Sequence, residues 1–171
     1  NYMPSTAINQ TETWQASNFY PETIERELSM AESIGFNTIR VFFHILVWED
    51  DPKGMLERFG QFLDICERHH MKAIPTLFTN GGKPEARLGA QPEPELGIHS
   101  PEWLQCPGVA VVNDPSQWKR CEKYVRSFLT TFKHDRRILC WCLYNEPNSR
   151  NHGAECLPLM REVFRWAWHI D

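Results

Sequence analysis

Two hydrophobic patterns alternate along the chain. Apolar residues recur every three or four positions in segments 21–34, 55–70, 115–134 and 154–170, which predicts four amphipathic helices. Period-two alternation or a short apolar run occupies 38–44, 71–78 and 138–144, which predicts strands between these helices. Gly35 suits the end of the first helix and Asp114 the start of the third. Alternating strands and helices indicate an α/β fold with a parallel sheet.

Two architectures contain such a sheet, an open doubly wound fold and a closed (β/α)8 TIM barrel. A nucleotide-binding open sheet carries a glycine-rich turn after its first strand, and neither GxGxxG nor GxxxxGK[ST] occurs here. In segment 38–44 one face is apolar, whereas the other carries Arg40 and His44. A strand face with polar groups suits a barrel interior, so the pattern favours TIM-barrel units.

A long segment without periodicity, 79–115, separates the strand at 71–78 from the next helix. It is rich in glycine and proline and is longer than ordinary connections, which is typical of functional loops. The 171 residues are otherwise enough for one core, so we expect a single domain over 1–171 that contains this loop.

Composition excludes several classes of partner. With 18 basic and 22 acidic residues, interspersed, the net charge is −4, and no basic surface for nucleic acid is indicated. No apolar run approaches the roughly 20 residues that cross a bilayer, so we expect a soluble protein without a membrane partner.

The 6 cysteines form no CxxC pair and no zinc-finger spacing, so buried free thiols are expected and no metal or other cofactor. Free thiols favour a cytoplasmic location, whereas the glycosylation sequon Asn9-Gln10-Thr11 would matter in a secreted protein, and localisation stays open. A metal-dependent barrel hydrolase is an alternative that has no HxH or HExxH arrangement. Its candidate ligands are His44, His69, His70 and His99.

The stretch WCLYNEPN, residues 141–148, places a carboxylate where a strand ends. In a barrel the carboxyl end of a strand faces the mouth, so Asn145 and Glu146 would lie at the catalytic face, with Arg40 and His44 nearby. A rim position would partly desolvate the Glu146 carboxyl, which suits a proton donor. The alternative is that Glu146 is a solvated loop residue paired with Arg150.

The same stretch carries a family resemblance. LYNEP resembles the end of the fourth strand in clan A glycoside hydrolases, most closely family 5 and its cellulase-like and mannanase-like members. IGFNTIRVFFH resembles their second strand with its arginine, and NYMPSTAINQTETWQ resembles the first strand and following loop of a bacterial cellulase or xylanase subgroup. The matches run in the right order along nearly the whole chain.

This resemblance implies a retaining β-glycoside hydrolase acting on a plant-type poly- or oligosaccharide. It assigns Glu146 as general acid/base, Asn145 as the partner of the sugar 2-hydroxyl, and Arg40 as the support of the catalytic carboxylates. Retaining hydrolysis also needs a nucleophilic carboxylate about 5 Å away. From their positions after strands, Trp14 and Trp48 are candidate platforms for sugar faces.

Two segments depart from the subgroup pattern. The chain has His44-Ile45 where the subgroup usually has His-Asp, and FTNGG at 78–82 where it has Phe-Asp-Asp-Cys-Trp. Asn80 can still offer a hydrogen bond to substrate, and His44 remains a candidate substrate contact.

The nucleophile of the family lies on a seventh strand, and only four strands, including one at the N-terminus, are expected here. A complete barrel takes about 250 residues, so the chain resembles the first half of one. We therefore expect the chain alone to be inactive and its open edges to be completed by a second copy or by a longer polypeptide. The alternative is a catalytically inactive carbohydrate-binding or assembly half-barrel.

Overall fold

The computed structural model describes residues 1–149 and 152–170. Within them, three parallel strands form one sheet in the order β1-β2-β3, with helices between the strands. The elements in chain order are α1 Gln10–Trp14, α2 Pro21–Ser33, β1 Thr38–Phe42, α3 Ile45–Asp50, α4 Pro52–Arg68, β2 Lys72–Thr79, α5 Val109–Val112, α6 Trp118–Phe132, β3 Cys142–Asn145 and α7 Cys156–Trp168.

The register of the sheet brings its carboxyl ends together. Arg40 of β1 lies opposite Ile74 of β2, and Thr79 of β2 lies opposite Asn145 of β3. All three strands are parallel, so Phe42, Thr79 and Asn145, where they end, lie at the same edge. Side chains from distant parts of the sequence therefore meet there.

The four predicted helices and the predicted parallel α/β sheet are present, but three strand predictions need correction. The strand predicted at 138–144 begins only at Cys142, and Ile138 makes an isolated bridge to Ala73. The N-terminal segment is not a strand: it reaches the sheet through a backbone hydrogen bond from Tyr2 N to Arg40 O at 2.8 Å, and Asn9 then caps α1. The strand predicted at 38–44 ends at Phe42, because His44 instead caps α3 by accepting a hydrogen bond from Leu46 N.

An aromatic cluster holds the helices against the sheet. Phe59 of α4 is fully buried, and its ring centroid lies 4.8 Å from that of Phe43 and 4.9 Å from that of Phe132. Trp14 packs edge-on against Phe43 at 4.9 Å. Burying side chains of this size accounts for much of the hydrophobic stabilisation of the core.

The segment predicted as a loop, 79–115, contains α5 but is otherwise irregular. Its return path is tied to the end of β2 by an antiparallel bridge between Thr79 and Cys106 and by a bridge between Lys83 and Leu104. The loop is therefore fixed over the carboxyl edge of the sheet.

Strand β3 has a sheet partner on one side only among the described residues. Beside it, an apolar groove of about 230 Å³ runs along α6 and α7. The groove is lined by Leu129, Lys133, Trp141, Leu143, Phe164, Ala167 and Ile170. Phe164 is 54% exposed and nearby Trp168 on α7 is 82% exposed, which leaves this edge unusually apolar.

The sequon at Asn9 is not available for glycosylation in this fold. Asn9 is 0% exposed, and its side-chain nitrogen donates hydrogen bonds to Gln91 Oε1 at 2.9 Å and to Glu102 O at 3.1 Å. The six cysteines are all free, and Cys140 is exposed. Among the described residues, no helix has the length and apolar character needed to span a membrane.

Candidate functional site

A cleft of about 440 Å³ opens at the carboxyl edge of the sheet. The ends of β1 and β3 form its floor, and the long loop forms one wall. Its lining residues are Asn1, Arg40, Phe42, Gly81, Gly82, His99, Ser100, Trp103, Asn145, Glu146 and Ser149. The volume is within the range of small-molecule sites, roughly 300–1,000 Å³.

A hydrogen-bonded chain crosses the floor of the cleft. The Arg40 guanidinium donates to Asn145 Oδ1 through Nη2 and to Thr76 Oγ1 through Nε at 3.3 Å. Asn145 Nδ2 donates to Thr79 Oγ1 at 3.1 Å. The orientation of the Asn145 amide is therefore set at both ends, because Arg40 donates to its oxygen and Thr79 accepts from its nitrogen.

Glu146 stands beside this chain in the turn that follows β3. Its backbone has φ +48°, in the left-handed region, and Oε2 lies 3.1 Å from the position that a Cβ on Gly81 would occupy. The absence of a side chain at Gly81 thus leaves room for the carboxylate. Glu146 is exposed rather than partly desolvated, which corrects the expectation from sequence. The alternative pairing with Arg150 lies outside the described residues.

Asn80 supports this turn and does not line the cleft. It is 1% exposed, and its side-chain nitrogen donates to Pro147 O at 3.1 Å and to Ser149 O at 3.4 Å. Its backbone N–H donates to Asn145 O at 3.2 Å. Asn80 therefore positions the turn that carries Glu146 instead of offering a hydrogen bond to a ligand.

His44 is not brought to the cleft. The side chain is 0% exposed, Nε2 is 2.8 Å from Gln105 O, and Nδ1 accepts from Leu46 N at 3.2 Å. Burial lowers the pKa of the imidazole from 6.5 to about 4, so the neutral ring donates at Nε2 and accepts at Nδ1. The predicted substrate contact is replaced by a structural role, because the chain turns into α3 right after His44.

Neither predicted tryptophan platform faces the cleft. Trp14 is 1% exposed, and its indole donates to Phe42 O at 2.8 Å. Trp48 lies on α3, donates to Ser127 Oγ at 3.1 Å and packs edge-on against Tyr124 at 5.7 Å. Trp14 lies on α1, which follows the irregular N-terminal segment, and Trp48 lies on α3, which follows β1. Both short helices turn the indole toward the core.

The structure adds an aromatic residue that the sequence patterns did not single out. Trp103 lines the cleft and packs edge-on against Phe42, with ring centroids 4.7 Å apart. Its signal in the sequence was that it is the one tryptophan of segment 79–115. No periodicity indicated which way it would point.

The histidines proposed as alternative metal ligands are not gathered at one site. His44 is buried against Gln105, and His99 lines the cleft. His69, at the end of α4, bridges Glu25 and Glu32 of α2, with both nitrogen–oxygen distances at 2.8 Å. Within 1–149 and 152–170, no three His, Cys, Asp or Glu side chains are placed to hold a metal ion.

Comparison with known proteins gives a likeness at the level of structure. No protein-family model matches the sequence, and no curated protein is significantly similar to it. The exo-beta-1,4-mannosidase Op5Man5 from Opitutaceae bacterium strain TAV5 matches 98% of this chain at 24% identity with a TM-score of 0.65. A GH5_18 protein from Streptomyces cattleya, solved with Manb1-4GlcNAc and with GlcNAc, matches 95% of this chain at 12% identity with a TM-score of 0.61.

These matches cover only part of each neighbour. The chain spans 28% of the Opitutaceae mannosidase and 39–40% of the Streptomyces protein. The neighbours are glycoside hydrolases of the TIM-barrel type, and the α/β order and parallel sheet agree with that barrel. The chain therefore has a fold like that of these family 5 glycoside hydrolases, of which it covers a part.

Proposed function

We propose that this chain carries the general acid/base, Glu146, of a retaining β-glycoside hydrolase. The observation that carries the proposal is the hydrogen bond from Arg40 to Asn145 on the floor of the cleft, immediately beside Glu146. The arrangement places a carboxyl group next to an oriented amide at the carboxyl ends of parallel strands. Active sites of TIM-barrel enzymes occupy this edge.

In the proposed reaction, the Glu146 carboxyl group donates its proton to the glycosidic oxygen as the bond to the anomeric carbon breaks. A second carboxylate attacks that carbon and forms a glycosyl-enzyme ester. Glu146, now ionised, then takes a proton from the water that cleaves the ester. The proton count balances over the cycle, since the leaving alcohol gains one proton and water supplies one.

Asn145 would stabilise the charge that develops on the sugar. Its amide nitrogen has two hydrogens, and one is donated to Thr79. The second hydrogen is available for a sugar 2-hydroxyl. Because Arg40 and Thr79 fix the plane of the amide, this bond needs little reorganisation as the ring becomes cationic.

The proposed substrate is a β-linked plant-type poly- or oligosaccharide. Since one neighbour is an exo-beta-1,4-mannosidase and another was solved with Manb1-4GlcNAc, β-1,4-mannosides are the first substrates to test. The volume of about 440 Å³ suits a short saccharide.

The nucleophile is proposed to come from a further part of the barrel. Glu146 is the one carboxylate among the described residues that line the cleft. The edge of β3 that has no partner strand among residues 1–149 and 152–170, together with the apolar groove beside it, supports additional strands and helices there, either from a longer polypeptide or from a second copy of the chain. This part of the proposal would be contradicted if the 171 residues alone were monomeric by light scattering and unfolded in one cooperative transition.

The acid/base role is tested by comparing leaving groups. In the full-length gene product, Glu146→Gln should slow hydrolysis of a methyl or phenyl β-mannoside by at least about 100-fold. The rate at which a dinitrophenyl β-mannoside releases its leaving group, as the glycosyl-enzyme forms, should fall much less, because dinitrophenolate leaves without being protonated. Glu155→Gln, an exposed glutamate outside the cleft, is the control and should leave both rates unchanged.

A second measurement separates Glu146 from a residue that only supports the fold. With Glu146→Ala, added azide should accelerate turnover of the dinitrophenyl substrate and yield a glycosyl azide of retained configuration, since azide needs no general base. Equal loss on all leaving groups, without azide rescue, would remove Glu146 from the proposed mechanism.

The second candidate function is a catalytically inactive carbohydrate-binding or assembly half-barrel. The single carboxylate of the described cleft favours it. Saturable binding of β-1,4-mannobiose by the full-length gene product, with no hydrolysis of any aryl glycoside, would support this candidate over the enzyme.

A further inference from the structure

The long loop gives the cleft an aromatic wall. Trp103 is partly buried and lies edge-on to Phe42, with an interplanar angle of 83°. The Arg40 guanidinium lies 4.6 Å from the centroid of the same Phe42 ring. Apolar ring surface thus adjoins the polar floor formed by Asn145 and Glu146.

Buried side chains near the N-terminus hold the residues on both sides of Trp103. Asn9 donates to Glu102 O at 3.1 Å. Gln10 pairs with Leu104 twice: Nε2 donates to Leu104 O at 2.5 Å, and Oε1 accepts from Leu104 N at 3.3 Å. Asn9 is 0% and Gln10 2% exposed, so these amides are shielded from competing water.

The other side of the Trp103 backbone is fixed by the start of the same loop. Lys83 N donates to Trp103 O at 2.7 Å, and Lys83 Nζ pairs with Glu102 Oε1 at 2.6 Å. A Cβ on Gly82 would lie 2.4 Å from Trp103 O, so no side chain fits at that position. The backbone of Trp103 is therefore held between two segments that both lie outside the sheet.

We propose that Trp103 is a stacking platform for a sugar ring and that Asn9 and Gln10 are its positioning residues. The ligand class rests on the proposed function. A pyranose has a rigid face of C–H groups that matches an indole, while its hydroxyl groups can reach the polar side chains of the floor. The Asn9-Gln10-Thr11 stretch thus positions the aromatic wall of the cleft and is not a glycosylation site.

Binding separates this inference from the chemistry. The full-length gene product carrying Glu146→Gln is titrated calorimetrically with β-1,4-mannobiose and with sorbitol, an acyclic polyol that has hydroxyl groups but no rigid face. Trp103→Ala should weaken mannobiose binding roughly tenfold and Trp103→Phe about threefold. Leu96→Ala, which removes a 95% exposed apolar side chain from the same loop, should change nothing. The affinity for sorbitol should be the same whichever residue occupies position 103.

The positioning role has its own readout. Gln10→Ala should weaken mannobiose binding in the parent but add nothing in the Trp103→Ala background, because Gln10 acts through Trp103. Gly82→Ala should weaken binding by moving Trp103 O. Gly89→Ala shares the positive φ, +87° against +119°, but meets no atom within 4 Å and should bind normally. This glycine pair also serves if a Trp103 variant does not fold.

Several outcomes would overturn the inference. The inference fails if Trp103→Ala binds mannobiose as well as the parent does, or if Leu96→Ala loses as much affinity as Trp103→Ala. It also fails if the effects of the Gln10 and Trp103 substitutions are additive, or if the parent does not bind mannobiose at millimolar concentrations. A protein that binds mannobiose through Trp103 but hydrolyses nothing would leave the platform in place and remove only the acid/base proposal.

Discussion

The buried imidazole of His44 makes stability depend on pH in a defined window. Replacing it by asparagine keeps a residue that caps helices well but removes the titrating ring and its contact with Gln105 O. His44→Asn should therefore cost stability at neutral pH and at the same time flatten the pH dependence between about pH 4 and 6.5.

The magnitude follows from the depressed pKa. Burial is the larger cause and the Arg120 charge a smaller one, and together they lower the pKa of His44 from 6.5 to about 4. Between these values the unfolded chain binds more protons than the folded one, so stability is lost as the pH falls. At about 1.4 kcal/mol per pH unit, the loss reaches roughly 3 kcal/mol by pH 4.

At pH 7 the free energy of unfolding of His44→Asn should be about 2 kcal/mol below that of wild type, because the variant loses one buried hydrogen bond and leaves a small cavity. The two curves should then converge near pH 5, where wild type has lost a similar amount. Acidic groups that titrate in this range affect both proteins and cancel in the difference.

Urea denaturation followed by tryptophan fluorescence, at half-unit steps from pH 4.5 to 7.5, measures this difference. His70→Asn is the matched control: the side chain is 87% exposed, and asparagine tolerates its positive φ of +54°. It should parallel wild type. If the difference in free energy of unfolding between wild type and His44→Asn stays constant from pH 4.5 to 7.5, the assignment of a neutral, buried His44 is refuted.

Two further predictions concern charged residues. The pKa of His69 is raised, first by its hydrogen bond to Glu32 and then by that to Glu25. Its contribution to stability is therefore present below pH 6.5 and is lost as the pH rises through the folded pKa. The stability advantage of wild type over His69→Gln should shrink as the pH is raised above 6.5 in the same urea assay, and an advantage that grows with pH would contradict this assignment. Arg40→Lys keeps the charge but loses the guanidinium fork that orients Asn145. The kcat for phenyl β-mannoside should therefore fall about 10- to 100-fold with little change in KM. The control substitution Arg165→Lys, at an exposed arginine, should change neither constant.

The sequence predicted the floor of the cleft because that floor depends on strand order. Arg40 and Asn145 follow from two apolar strand patterns, and parallel strands must deliver their carboxyl ends to one edge. Their contact spans 105 positions of sequence but needs only topology. For the same reason Glu146 was predicted beside them.

The walls of the cleft depend on contacts that no periodicity encodes. Trp103 is placed by side-chain to backbone hydrogen bonds from Gln10, 94 positions earlier than Leu104. His44 continues the alternation of β1 in sequence, yet its ring caps the next helix, and a local side-chain hydrogen bond there competes with extension of the strand. The loop aromatic residue Trp103 and the point where β1 gives way to α3 were therefore the parts that sequence patterns could not assign.

The left-handed backbone of Glu146 has a consequence for how this turn can change over time. A residue other than glycine, asparagine or aspartate at φ +48° costs roughly 1–2 kcal/mol, so selection for thermal stability alone would replace this glutamate. Glycine or asparagine would relax the turn but delete the carboxylate, and aspartate would draw the carboxylate back by one methylene group. If the proposed role of Glu146 holds, a lineage that abandoned sugar chemistry should drift to asparagine or glycine here, which makes position 146 a marker of whether the proposed activity is under selection.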